Sequence, residues 1–373
     1  SGSLVEQVER ATEDLGASVV SSEPEVKDRL ARQALERAMD CIFQLSNDFG
    51  DQVAAYRVTH SEISPFVLAA NLGSRISVDK KFAQTFDLWE VAGKNSKSSV
   101  AADFSVGTDN LIYGPLLDAS AGASAWVGDP EDEFENRKHR FLQNCREQLA
   151  CLPANTRLLH AIGGLNGIGH RHLSFPQQQQ LTSELFRVIE DMSVEVPIMV
   201  SFDFPWAERL AWSVGGMHPL QVADSLLRQA LPVSFIGLDI NLDYWPAGSV
   251  VRDPLQWIEL IDIWSQLGLP LVLSLRIPQQ FGASSEDETE KKTVNVIRQG
   301  MDDRQRLELV RVVLKVLAAR PNVHGCIFPQ WSDHDDPRFP SGGLMSVNGQ
   351  PKELLLELER FQSDVLKPEE RNS

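Results

Sequence analysis

Eight short apolar runs, most of them followed by a segment of helical length, constrain this chain more than any other feature. They are "FVLAANL" (66–72), "TFDLWEVA" (85–92), "NLIYGPLLDAS" (110–120), "RLLHAIGGLNG" (157–167), "VPIMVSFDFPW" (196–206), "VSFIGLDINLDYWP" (233–246), "LPLVLSLRIPQ" (269–279) and "VHGCIFPQWSD" (323–333). A strand covered on both faces reads as a continuous apolar stretch, because neither face meets water. Helix-length segments lie between most of the runs, at 132–152, 176–192, 219–230, 254–267 and 303–319. Eight such alternations predict an α/β fold, a closed (β/α)8 TIM barrel over residues 61–373. The weak repeat is the second, where 93–108 is rich in Ser and Lys and shows no clear helical period. The stretch "SSEDETEKK" (284–292) reads as solvated loop or helix start.

Residues 1–60 have another texture. A short helix is expected from Val5 to Leu15 and a longer one from Pro24 to about Tyr56, since proline suits the first turn of a helix. Leu30, Ala34, Leu35, Ala38, Ile42, Leu45 and Phe49 recur mostly at three- and four-residue steps. This helical lead-in is either a hairpin that covers the barrel or a separate interaction arm. Its charge pattern shows no sustained heptad.

Of 373 residues, 42% are apolar, enough for a large core. With 35 basic and 52 acidic side chains the formal charge is −17, so nucleic acid and anionic membrane surfaces are poor partners, while a neutral glycan feels no such penalty. No apolar run reaches the roughly 18 residues that span a bilayer. Cys41, Cys145, Cys151 and Cys326 form no C-x-x-C pair, so a thiolate zinc site is not expected, and a chain this long needs no disulfide framework. Ser1-Gly2-Ser3 reads as an appended linker, compatible with a leader or further domain upstream.

In a barrel of this kind the strands deliver chemistry at their C-terminal ends. Most of the runs begin apolar and end polar or aromatic. Glu90 and Asp118 end the second and third, and His160 and Asn166 lie in and after the fourth. Asp203 and Trp206 end the fifth, and Asp239, Asn241, Asp243 and Trp245 the sixth. Arg276 ends the seventh, and Trp331, Asp333, His334 and Asp335 the eighth. Carboxylates and amides bind hydroxyls and indoles stack on pyranose faces, so such a rim suits an oligosaccharide or polysaccharide. Plainer readings stand beside these. Asp203 could cap a helix or pair with Arg209, Asp239 could be a buried acid satisfied by a basic neighbour, and His160 could be a core histidine. Trp212, Trp257 and Trp264 lie on helical stretches and read as packing. His170 and His172, with "DHDD" after the eighth run, could serve a metal-dependent barrel enzyme. H-x-H in a loop is a weak signal, and no metal or other cofactor is expected.

The tail "FPQWSDHDDPRFPSGGLMSVNGQPKELLLEL" resembles the final strand and tail of family-10 glycoside hydrolases, the xylanase family, with Trp331, Asp333, Gly343-Leu344 and Pro351-Lys352 in matching order. "FIGLDIN" resembles the sixth strand of that family, with Asp239 and Asn241 in its Gln and His places. "LGLPLVLSLRIP" resembles the seventh and "RLLHAIGGLNG" the fourth. The similarity covers about Phe66 to Phe361 and is most specific in the last third. It implies a barrel that binds glycans, an extracellular or periplasmic setting, and a retaining hydrolase with two glutamates. The acid/base place falls at Gly164 or Gly167 and the nucleophile place at Leu275 or Ser274, none of them an acid. Glycine, serine and leucine cannot protonate a leaving oxygen, so the usual chemistry cannot run on the usual residues.

Two readings follow. One is a hydrolase of O-glycosyl bonds with a relocated carboxylate pair drawn from Glu90, Asp203, Asp239, Asp243 and Asp333, with Asp203 as acid and Asp239 as base. The other is a glycan-binding barrel without catalysis, with Trp206, Trp245 and Trp331 as stacking platforms.

Overall fold

Parallel strands need crossovers that return the chain to the same edge, and wherever the crossover is described this sequence supplies a helix. A computed structural model describes residues 2–60, 65–73, 80–91, 110–118, 133–166, 173–211, 217–244, 248–279 and 303–367. The barrel strands are β1 (Val67–Asn71), β2 (Leu88–Val91), β3 (Leu111–Tyr113), β4 (Thr156–Gly163), β5 (Ile198–Asp203), β6 (Phe235–Asn241), β7 (Leu271–Arg276) and β8 (Val323–Phe328). Each pairs in parallel with the next, and β8 pairs with β1, so the sheet closes on itself. Beyond Gly114 and Pro115, Leu117–Asp118 resumes the direction of β3 and pairs with Ile162 and Gly163 of β4. The eight runs read from the sequence are these eight strands. The 93–108 link and the 284–292 stretch lie outside the described residues.

The helices are α1 (Gly2–Val20), α2 (Pro24–Thr59), α3 (Lys80–Ala83), α4 (Phe134–Ala150), α5 (Phe175–Asp191), α6 (Pro219–Arg228), α7 (Pro254–Ser265), α8 (Asp303–Ala318) and α9 (Glu353–Phe361). Three of them start with one device. A proline occupies the first turn, and a glutamine three residues past the cap accepts the cap residue's backbone N–H. The pairs are Ser174–Gln177 at 2.8 Å, His218–Gln221 at 3.2 Å and Asp253–Gln256 at 3.3 Å. Each satisfies an N–H at the helix start that has no partner within the helix.

The strands' outer faces pack on the helices in one continuous core. Inside the barrel, alternation along the strands stacks side chains in layers. The lowest layer is dry: Ala69, Ile112, Leu158, Met199, Val272 and Ile327 fill it. Two residues further up their strands, His160 and Ser201 begin a polar layer.

The N-terminal helices form an antiparallel hairpin, and α2 lies along α8. The two helices come closest at Gly50, where an added Cβ would stand 2.6 Å from Lys315 Cβ. Lys315 Nζ bonds Asp51 at 2.6 Å and Asn47 at 2.9 Å. Arg57 donates to the Ala318 and Arg320 carbonyls at 3.0 and 2.9 Å, caring for orphan carbonyls at the C-terminus of α8. Burial lowers its guanidinium to about 10, still charged at neutral pH.

Candidate active site

A hydrogen-bonded chain crosses the polar layer of the barrel. It starts at Asn71 on β1, whose Nδ2 donates to Glu90 Oε2 at 2.7 Å. Glu90 Oε1 stands 2.9 Å from His160 Nδ1, and His160 Nε2 is 3.2 Å from Ser201 Oγ. Ser201 Oγ in turn donates to Asp239 Oδ2. Gly164, in the left-handed region just past β4, donates its N–H to both Ser201 Oγ at 3.0 Å and Asp239 Oδ2 at 3.1 Å. Five strands and one turn thus join six polar groups in one network. Glu90, His160 and Ser201 are buried and Asp239 is half-buried.

Charge in this line is set by burial and by its partners. Burial works against the His160 cation, but the bond to Glu90 and the charges of Glu90, Asp239 and Asp118 outweigh it and raise the imidazole above its usual range. Burial raises the Asp239 carboxyl; the His160 charge and the Ser201 bond pull it down less than burial, Asp118 and Glu90 push it up. Oδ1 of Asp239 takes no hydrogen bond among the described residues.

Asp203 stands beside Asp239, their Cα atoms partnered across β5 and β6, so both side chains leave the sheet on one face. Asn166 clamps this strand end, accepting the Asp203 N–H at 2.8 Å and donating to its carbonyl at 2.7 Å. Both ends of that amide are therefore engaged with backbone. Asp203 Oδ1 also accepts the Phe204 N–H at 3.1 Å. Arg338, from the segment after β8, carries a raised guanidinium. Its bond to Asp336 is the main cause, with Asp118 and Asp203 adding to it.

Other rim residues are tied to cations. Asp243 pairs with Arg306 at 3.2 Å and Asp333 with Lys352 at 2.6 Å. Asp336 holds Arg338 at 2.7 Å and Arg276 at 3.7 Å. Arg276 also donates to Asn241 and lies 4.1 Å over the Phe339 ring. A cavity of about 290 Å³ beside the rim is lined by Gln279, Arg306, Lys352 and Glu353 among others, and neither Asp203 nor Asp239 lines it.

The expected platforms are placed differently. Trp331 is only 5% exposed and packs edge-on against Trp89 and Phe86. Its ring belongs to the core. Trp206 is half-buried, with Trp257 against one edge at 5.2 Å and the Arg252 guanidinium 4.9 Å over its face. Trp257 and Trp264 are buried in packing. Trp245, His170 and His172 lie outside the described residues. Among the described residues, no three His, Cys, Asp or Glu side chains gather as a metal site would require.

Ser201 and Asn71 were not singled out in the sequence. A serine within "VSFDF" or an asparagine within "AANL" carries no local signal, and each acquires its role from strands far away in the chain.

No family model and no curated protein matches the sequence. Solved structures do match the fold. Native xylanase 10B from Thermotoga maritima superposes with a TM-score of 0.55 at 13% identity, covering 87% of this chain and 99% of that one. A psychrophilic glycoside hydrolase family 10 endo-β-1,4-xylanase gives 0.55 at 12%, covering 82% and 99%. The β-glucuronidase of Ruminococcus gnavus gives 0.51 at 9%, covering 80% of this chain and 50% of that one. The chain shares the TIM-barrel fold of these structures. At the end of β4 it carries Gly163 and Gly164, and along the end of β7 Ser274, Leu275 and Arg276.

Proposed function

We propose that this chain hydrolyses O-glycosyl bonds of an oligosaccharide or polysaccharide, with Asp239 as proton donor and Asp203 as the partner carboxylate. One observation carries the reading. Asp239 is held through Oδ2 by two neutral donors, while Asp243, Asp333 and Asp336 are each matched to a cation. A carboxyl that burial raises, with its second oxygen unengaged, is suited to give a proton to a leaving glycosidic oxygen. The roles are the reverse of those expected from sequence, because Asp239 is the carboxyl whose surroundings raise it.

In this reading the Asp239 proton passes to the glycosidic oxygen as its bond to the anomeric carbon breaks. Water adds to that carbon and gives its proton to Asp203. The line from His160 through Ser201 then has a further use. A His160 N–H donating to Ser201 keeps the Ser201 hydrogen on Asp239 Oδ2 and leaves Oδ1 to carry the acid proton; between turnovers Asp203 gives its proton up to water and Asp239 takes one back from water. Likeness to a xylanase and a glucuronidase supports a sugar substrate by fold alone.

The competing reading is glycan binding without turnover, favoured by the glycines at the end of β4 and by Leu275 on β7. A panel of oligosaccharides and polysaccharides assayed for binding and product together separates the two. Asp239→Asn and Asp203→Asn should each lower turnover about 10³-fold while binding persists. Turnover that survives both substitutions removes the pair, and binding without any product in the unaltered protein selects the second reading.

A further inference from the structure

The α1–α2 hairpin has an apolar face that nothing in its own chain covers among the described residues. On α1, Ala11 and Ser18 are buried against α2. Cys41 reaches Gln7 at 3.7 Å and Arg37 bonds Asp14, which fixes the level of one helix on the other. At that level Leu15 stands beside Leu35, Val8 beside Ile42 and Val5 beside Leu45. Each follows by one residue a position facing the partner helix, or lies on the same stripe. One residue is a turn of about 100°. In an antiparallel pair that rotation carries both stripes to the same side of the hairpin.

The exposures agree with that geometry: Val5 59%, Val8 50%, Leu15 55%, Leu35 64% and Leu45 54%. Val19 and Phe49 prolong the stripes at either end. The opposite side is charged, with Glu6, Arg10 and Glu13 on α1 and Glu36 and Asp40 on α2. With Thr12 and Ala38 at the intervening places, the stripes run 5, 8, 12, 15, 19 and 35, 38, 42, 45, 49, alternating steps of three and four residues, the spacing of helices that pack nearly aligned in bundles.

We propose that this face is a dimer interface, on which the same hairpin of a second copy closes a four-helix bundle. The face calls for two antiparallel helices of matching three-four spacing over about 21 Å, and the chain's own hairpin is such a pair. A two-fold axis through the face makes the contact self-complementary. These side chains offer on the order of 700 Å² per copy, close to the 800 Å² per partner of a stable specific interface and above the usual monomer patch. Among the described residues access is open, because α2 meets α8 through Asn47, Gly50, Asp51 and Arg57, on another side of the helix.

Sedimentation equilibrium and light scattering on the full chain test this. The expected mass is twice the 41.6 kDa of one chain. Leu15→Glu and Leu35→Glu, made separately, should each raise the dimer dissociation constant at least about a hundredfold, because symmetry buries every added carboxylate twice. Both positions are exposed in the single chain, so the helical circular dichroism should not change. Glu13→Lys, on the charged side, should leave the mass as it is. A single-chain mass up to about 100 µM, far above the range of a standard-size interface, overturns the proposal whatever else then binds the face. A dimer that tolerates both glutamates overturns it equally.

Discussion

His160 and Asp239 do not touch, yet Ser201 joins them: His160 Nε2 lies 3.2 Å from the same hydroxyl that donates to Asp239 Oδ2. On its other side, His160 Nδ1 is 2.9 Å from Glu90. An imidazole so placed is favoured as a cation by the acids around it, and its charge in turn bears on Asp239 at the rim.

Stability should therefore fall as pH rises through the neutral range. The folded protein holds the His160 proton more tightly than the unfolded chain. Its contribution is complete below the unfolded value of about 6.5 and is lost as pH climbs through the raised folded value. Asp239 acts in the same direction, because its raised carboxyl favours the proton when folded and costs stability once ionised. Thermal melts from pH 5 to 9 should show the decline, and His160→Gln should flatten its neutral part. A His160→Gln profile parallel to that of the unaltered protein would separate the histidine from it.

Ser201→Ala tests the joint itself. The hydroxyl's bond lowers the Asp239 carboxyl against the pull of burial, so its loss should raise that carboxyl further. The Asp239 titration, followed by carboxyl ¹³C NMR, should move to higher pH whether or not a substrate is known. Where turnover is measurable, kcat should drop about tenfold with KM little changed, within the reach of an impaired proton transfer. An unmoved titration refutes the coupling.

Gly50→Ala sets two effects against each other. Alanine should stabilise the interior of α2 by about 1 kcal/mol over glycine. The new methyl, however, would meet Lys315 Cβ at 2.6 Å and its backbone carbon at 3.1 Å. Overpacking of that kind costs about 1–3 kcal/mol, so the net change should be a loss of about 1 kcal/mol. A urea midpoint that falls at constant slope is the expected result. A rise would mean that α2 and α8 separate at little cost.

The strands were legible because parallel strands covered on both faces leave continuous apolar runs, and "LPLVLSLRIPQ" or "VSFIGLDIN" could hardly be read otherwise. Side-chain direction was not legible. Trp331 follows a strand, which suggested a rim platform, but its ring turns toward Trp89 and Phe86, which lie some 240 residues earlier. Asp333 and Asp243 looked like ligands for hydroxyls until Lys352 and Arg306 came beside them. The hairpin was read as one stripe because Leu30 and Ala34, facing α1, alternate with Leu35 and Leu45, facing outward. Two adjacent faces of one helix blur into a single period until a second helix separates them.

The apolar layer formed by Leu158, Met199, Val272 and their neighbours works as a stopper beneath His160. It denies the imidazole any exit through the bottom of the barrel. The groups that exchange hydrogen bonds with it, Glu90 and Ser201, stand above that layer, so a charged molecule seated at the mouth should shift the titration of the imidazole.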